Sequence, residues 1–430
     1  VLNMLQLAGV PLESQQRTET MPFVCAGGPC AFNPEPLAMF IDFFLIGEGE
    51  EIWQEVLDEY KVWKAQGESR ERFLERIAAI EGIYVPAFYD VQYHEDGTLK
   101  SMRPNRPGVP ERVKKRIISD LDSCYYPERM IVPFMEIVHD RITLEVFRGC
   151  IRGCRFCQAG MVYRPLRQKS PKRLLELAEK LIQNTGYGEV SLCSLSTSDY
   201  QNLPEFMDGL MAISEDQKVN LALPSLRVDN FSIDLMQRVQ KVRKSGLTFA
   251  PEAGTQRMRD VINKGVEEED LLRSARLAFE GGWHNVKLYF MIGLPTETEE
   301  DVAGIAQLAQ KVVEVYYQSN VPNKGKRFQV TISVSSFVPK PFTPFQWEPQ
   351  DTIDSLRKKQ QYLKEKITSK KIAYHYHVSY VSSLEGVFAR GDRRVGQVLK
   401  KAHELGCKFD SWDEYFHYDR WVKAFQEVGL

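Results

Sequence analysis

From residue 141 onward, short runs that are apolar, or that alternate apolar and polar, trade places with longer stretches whose apolar positions recur every third or fourth residue. The first pattern belongs to strands and the second to amphipathic helices. Strands are predicted at 142–147, 189–195, 219–223, 247–250, 285–292 and 329–337. Helices are predicted at 172–185, 204–213, 233–244, 256–262 with 267–280, and 299–316. Ser170-Pro171 opens the first of these, with serine at the N-cap and proline where its missing N–H costs nothing. Strands that alternate with helices argue for a parallel sheet.

Ahead of that region, 21–30 reads as a buried strand running into a glycine turn, followed by Asn33-Pro34-Glu35-Pro36 and a helix at 37–42. A strand at 43–46, the turn Gly47-Glu48-Gly49 and a helix at 52–63 complete half of a doubly wound α/β domain. An amphipathic helix at 69–80, a strand-like stretch at 82–93 with a turn at Asp96-Gly97, and the basic, proline-rich 103–110 read as connecting chain. Beyond Trp347, a charged helix (352–369) and a strand (374–381) lead into more helix. The expected division is therefore 1–65, 66–140, 141–347 and 348–430. The chain has no initiator Met and its first five residues read as mid-helix, so the front of a domain is expected to be missing.

Composition narrows the functional classes. With 430 residues, 43% of them hydrophobic, the chain can bury a full core in more than one domain. A formal charge of −2 provides no global pull towards nucleic acid or membrane. No apolar run is long enough to span a bilayer, and no secretory signal opens the chain. Eight cysteines in a chain this long do not make a disulfide scaffold. Clustered thiols without a signal peptide imply a reducing, cytoplasmic setting.

Those thiols cluster at Arg148-Gly149-Cys150-Ile151-Arg152-Gly153-Cys154-Arg155-Phe156-Cys157, directly after the strand at 142–147. Cysteine thiolates hold iron–sulfur clusters, and three would leave one iron of a cubane open. Zinc would want a fourth Cys or His at short range, and none lies within the next thirty residues. The C-x3-C-x2-C spacing with Phe156 before its last cysteine resembles the radical S-adenosylmethionine (SAM) superfamily. That resemblance implies a [4Fe–4S] cluster on Cys150, Cys154 and Cys157, with SAM on the open iron. It also implies reductive cleavage to a 5′-deoxyadenosyl radical, and a reductant such as flavodoxin or ferredoxin. The fold implied is α/β: an open (β/α)6 partial barrel, preceded by a truncated doubly wound α/β domain and followed by a small α+β extension. The rival class is an iron–sulfur electron carrier or redox sensor without SAM turnover.

The strand ends carry the other candidates. After the second strand, Ser194-Leu195-Ser196-Thr197-Ser198-Asp199 stands where the superfamily has a Gly-Gly-Glu-like turn, so Ser196 and Asp199 could hold the SAM ammonium; helix capping explains them equally well. Arg227 follows the third strand and could fork onto a carboxylate or form a structural ion pair. Glu252 and Lys264 resemble the superfamily's ribose and carboxylate contacts. Gly293 begins a G-x-P-x-E-T turn resembling the one that lines the adenine, with Thr298 able to cap the next helix. The aromatics and prolines of 335–345 read as a rigid lip over the barrel mouth.

The front stretches GGP, NPEPLA and IGEGEE resemble the back half of a cobalamin-binding-like domain, but D-x-H-x-x-G is absent. Cobalamin is therefore expected to lack its ligand here. Cys25, Cys30 and Cys124 do not match a second-cluster spacing and read as structural, as do His375 and His377. The closest pattern is an uncharacterised bacterial family with such a front domain and a methylthiotransferase-like core. Eight Lys/Arg and no acid lie between Arg148 and Arg173. Such charge would compensate an anionic cluster, and what is left over suggests RNA or a translation-machinery protein as substrate.

Overall fold

Phe43, Phe44 and Leu45 are all buried, because they form the middle strand of the first sheet. The computed structural model describes residues 1–222, 247–322 and 328–430. They form two compact units, one made of Val1–Ser119 with Gly386–Leu430, the other of Asp120–Glu385. In the first unit, β2 (Phe43–Leu45) pairs parallel with β1 (Cys25–Gly27) and antiparallel with β3 (Ile83–Tyr84). Helices Gly49–Gln66 and Arg70–Ala78 bury Ile52, Val56, Phe73 and Ile77 in the same core. Ser69 caps the second of them, its hydroxyl accepting from the Arg72 N–H at 3.2 Å. The strand-like stretch after β3 becomes a hairpin, β4 (Tyr89–Tyr93) with β5 (Leu99–Pro104), turning at Asp96-Gly97.

The helix expected at 37–42 does not form. A single 3-10 turn, Glu35–Leu37, is followed by buried Phe40, Ile41 and Asp42. Asp42 accepts from Arg17 and Arg70, each at 2.8 Å, and from the Val24 N–H at 2.6 Å. A helix of one or two turns is marginal alone, and a buried carboxylate held by two guanidiniums outweighs it.

The second unit realises the strand–helix alternation. β6 (Ile142–Glu145) ends two residues earlier than expected. Its continuation, β7 (Phe147–Arg148), instead pairs antiparallel with β8 (Arg167–Gln168). β9 (Glu189–Cys193) lies between β6 and β10 (Asn220–Ala222), all parallel. The second sheet runs β11 (Leu247–Glu252), β12 (Asn285–Ile292), β13 (Gln329–Ser336) and β14 (Ile372–Tyr376), again all parallel. The helix expected at 233–244 and Arg227 lie outside the described residues.

The fold class is α/β, as expected, with one addition. The strand placed near 374–381 in an appended extension is β14, a further parallel strand on the edge of the barrel sheet. Helix Ile353–Lys366 supplies the crossover that parallel pairing requires. Ile372 and the partly buried Tyr374 then join the core already formed by Val330 and Ile332.

Each strand buries one face under helices. On β13, Val330, Ile332 and Val334 are within 1% of full burial, whereas Thr331, Ser333 and Ser335 are not buried. Each fully buried Val or Ile contributes roughly 1.5–3 kcal/mol relative to exposure. Ser170 caps Pro171–Thr185 by accepting from the Arg173 N–H at 3.2 Å. Thr298 caps Glu299–Gln318 in a reciprocal box with Asp301. No helix among the described residues is long and apolar enough to cross a membrane.

Candidate cluster and SAM site

The loop that carries the three cysteines is tied at both ends by β7 and β8. Gly149 makes its first turn at φ +91, where a Cβ would lie 2.8 Å from the Pro165 carbonyl and 2.9 Å from that of Tyr163. Only glycine fits there. Two sulfurs already accept backbone N–H groups at 3.4 Å, Cys150 from Arg152 and Cys157 from Gly160. The loop is also stapled to the end of helix Gln256–Val261. The Arg155 N–H donates to the Ile262 carbonyl at 2.9 Å, its guanidinium to that of Asp260 at 3.1 Å, and Asn263 Nδ2 to that of Gly153 at 2.9 Å. A cation suits the carbonyl end of a helix.

Beneath the loop lies a cavity of ≈ 370 Å³. The loop contributes Cys150, Arg152, Cys154, Phe156 and Cys157, and the exit of β9 contributes Leu195 and Ser196. β11 presents Thr248, Ala250 and Glu252; β12 presents Tyr289; Lys264 and Val266 close the far side. Seven of the sequence candidates therefore share one wall.

Ser196 is 2% exposed and its Oγ has no hydrogen-bond partner. A buried hydroxyl left unpaired costs about 1–3 kcal/mol, so this atom has hydrogen-bonding capacity to offer a ligand of the cavity it lines. Glu252 sits at φ +67, just past a break in the β11–β12 register. Strained backbone of this kind concentrates at functional sites. Its carboxylate pairs with Lys264 Nζ at 3.0 Å, and a carboxylate retains acceptor capacity beyond one such bond.

The remaining candidates fall elsewhere. Asp199 is outside the wall, its carboxylate forked by Arg152 at 3.0 and 2.5 Å. It therefore positions a loop cation. Gly293, at φ +78, is not in the wall; its N–H donates to Glu297 Oε1 at 2.9 Å and a Cβ would press on Leu356 and Asp351. The expected lip is partly core. Phe337 and Phe345 pack edge to face at 5.9 Å in a buried cluster with Met258, against which Phe156 rests. Sequence reading missed Thr248, Ala250 and Tyr289 as wall residues. Counting back by twos from Glu252 would have found the first two.

The basic stretch is acid-free along the chain but not in space. Arg148 and the buried Lys169 both reach Glu145, at 2.8 and 3.2 Å. Arg152 takes Asp199, and Arg173 takes Glu128 at 3.3 Å. Arg155, Arg164 and Arg167 donate to backbone carbonyls. Burial works to raise the Glu145 pKa, but Arg148 and Lys169 outweigh it and hold the carboxyl below its ordinary range. Burial pushes the Cys193 thiol, opposite Glu145 in the sheet, upward.

Among the described residues, no three His, Cys, Asp or Glu side chains gather to hold a single metal ion. An iron–sulfur cluster asks for something different, separate thiolates on separate irons. Three cysteines around a roomy cavity, a cationic loop to offset anionic sulfurs and an orphaned hydroxyl in the same wall fit a cluster with a polar ligand beside it.

Two family models match the chain: the N-terminal family of radical SAM proteins over residues 1–86, and the radical SAM superfamily over residues 144–309. An uncharacterised protein of Methanocaldococcus jannaschii is 30% identical over 408 residues, covering 94% of this chain and 79% of its own length. An uncharacterised methyltransferase of Pyrococcus horikoshii is 24% identical over 373 residues, covering 80% and 70%. Among solved structures, the radical SAM methyltransferase TsrM of Kitasatospora setae, with tryptophan substrate and a SAM analogue bound, superposes with TM-score 0.50 at 14% identity. That match covers 89% of this chain and 82% of the other, a likeness of fold.

Proposed function

Because this chain belongs to the radical SAM superfamily, whose members bind a [4Fe–4S] cluster and SAM, we propose that Cys150, Cys154 and Cys157 hold the cluster and that SAM lies in the cavity beneath them. Held there by the three thiolates, a cluster would supply the one electron that reductive cleavage of a SAM C–S bond requires, giving methionine and a 5′-deoxyadenosyl radical. The chain's own residues bind, orient and shield. Ser196 Oγ meets a polar group of SAM, Glu252 accepts from hydroxyls, and Lys264 faces a carboxylate. Phe156 seals one side of the cavity against the Phe337–Phe345 core. Arg152, fixed by Asp199, brings positive charge to the anionic cluster.

The observation that carries this reading is the buried, unpaired Ser196 hydroxyl in the same wall as the three cysteines. Anaerobic reconstitution should load about four irons per chain, and dithionite with SAM should release 5′-deoxyadenosine. Replacing the three cysteines with alanine should abolish both. Ser196→Ala should weaken SAM binding by about 1 kcal/mol, roughly fivefold, with iron content unchanged. A triple variant that keeps its cluster, or a loaded protein that never cleaves SAM, refutes the assignment.

The reductant is a one-electron donor of the flavodoxin or ferredoxin kind. D-x-H-x-x-G is absent from the sequence, and no step proposed here runs through cobalamin. An RNA or translation-machinery substrate rested on surplus charge between Arg148 and Arg173. Four of those eight cations face carboxylates, Arg148 and Lys169 on Glu145, Arg152 on Asp199 and Arg173 on Glu128, which reduces the surplus that reading draws on. Arg155, Arg164 and Arg167 donate to neutral carbonyls, which hold the side chains without cancelling their charge.

A further inference from the structure

The cavity marks which face of the second sheet looks inward, because it takes Thr248, Ala250 and Glu252 from β11 and Tyr289 from β12. The strand registers extend that face. Thr248 is opposite Lys287, which is opposite Thr331. Tyr289 is opposite Ser333, which is opposite His375, and Met291 is opposite Ser335. Alternating with them, Leu288, Phe290, Val330, Ile332 and Val334 are buried on the outer face.

A filled barrel packs its interior with Val, Ile and Leu. Here the inward rows carry hydroxyls, a lysine, a tyrosine and a histidine, none of them buried, with Met291 the buried apolar exception: Tyr289 is 40% exposed. Such a wall is built to meet a polar ligand. Its charge is also unbalanced. Glu145 is held by Arg148 and Lys169, and Glu252 by Lys264. Among the described residues Lys287 has no ion pair, and its Nζ lies 4.8 Å over the Tyr289 ring, an attraction that leaves its charge uncompensated.

We infer that this inner wall of β12–β14 is the substrate site, and that it takes a small polar molecule bearing a carboxylate. This rests on the reading of the adjoining cavity as the SAM site. The carboxylate seats on Lys287, and Thr331, Ser333 and His375 hydrogen-bond the remainder. The Tyr289 row places that molecule beside the cavity. One ammonium matches one negative charge. A phosphate, carrying nearly two, favours a bidentate arginine, and a polynucleotide needs a track of cations. His375 and His377 belong to no group of three metal-ligating side chains among the described residues, and His375 acts here as a hydrogen-bonding group.

The test uses the reconstituted protein with SAM, labelled briefly with an amine-acetylating reagent, with Lys287 and exposed Lys370 followed by peptide mass spectrometry. Lactate, a hydroxyl-bearing monocarboxylate, should slow acetylation of Lys287 at least fivefold and leave Lys370 unchanged, and His375→Ala should reduce that protection. Inorganic phosphate at the same concentration should protect less than twofold. No protection by lactate, or equal or better protection by phosphate or by a short RNA at low salt, overturns the inference. The same preparation is assayed for 5′-deoxyadenosine. Its formation alongside an unprotected Lys287 refutes the substrate site alone, whereas its absence refutes the SAM reading and the wall's role with it.

Discussion

Gly149→Ala tests whether the cysteine loop depends on the turn that starts it. At φ +91 an L-residue pays about 1–2 kcal/mol of backbone strain. The new methyl would also lie 2.8 Å from the Pro165 carbonyl, 2.9 Å from that of Tyr163 and 3.0 Å from the Leu166 Cα. All three are backbone atoms, so no side chain can swing away, and overpacking of this sort costs a further 1–3 kcal/mol or so. The sum is about 2–5 kcal/mol. If β7 and β8 part locally to relieve it, iron content after anaerobic reconstitution falls while the melting temperature barely moves. If the loop cannot yield, the melting temperature falls instead, by about 2–4 °C per kcal/mol for a unit of this size. Gly188→Ala is the control, since its φ is not positive and its Cβ would meet nothing within 4 Å. Gly149→Ala protein with the iron content and melting temperature of the control would refute the reasoning.

Two further outcomes are expected. Glu145 has its pKa lowered in the folded state, so its stabilisation is present above the ordinary glutamate pKa of about 4.3 and is lost as pH falls through the lowered value. Glu145→Gln should therefore be less stable near neutrality and show a flatter loss of stability on acidification; an unchanged slope would mean the group does not contribute. Ile332→Ala, at a fully buried position on the outer face of β13, should cost about 2–5 kcal/mol in denaturant unfolding, and a loss below about 1 kcal/mol would show that face to be loosely packed.

What could be read from the chain was whatever depends on short spacing. The cysteine loop, the cap at Ser170, the box at Thr298, and the places of Ser196 and Glu252 at strand exits and of Lys264 after the following helix, all in the cavity wall, follow from a few neighbouring residues. What escaped depends on the third dimension. The basic stretch looked free of acids because its carboxylate partners are Glu145 just before it, Glu128 well upstream and Asp199 beyond the next helix, while Arg155 is held by the carbonyls at 260 and 261. Phe337 and Phe345 resembled a lip because nothing local says that they pack on each other and on the base of the cysteine loop. β14 looked like an appendage because only pairing with β13 makes it part of the sheet.

The same register argument separates what keeps the second unit folded from what it acts upon. Alternation along β12 and β13 assigns Leu288, Phe290, Val330, Ile332 and Val334 to the helices outside, where their burial supplies the stability of the sheet. Lys287, Tyr289, Thr331 and Ser333 face inward and contribute little to that burial. An inward position can then change its chemistry at small cost in folding, whereas an outward one cannot. That is the arrangement required of a scaffold whose radical-generating end is common to a superfamily and whose substrate is not. It also explains why the substrate is the hardest property to read from one sequence. The cysteines announce themselves by spacing, but the residues that choose a substrate are single inward positions on separate strands, brought into one row only when the sheet forms.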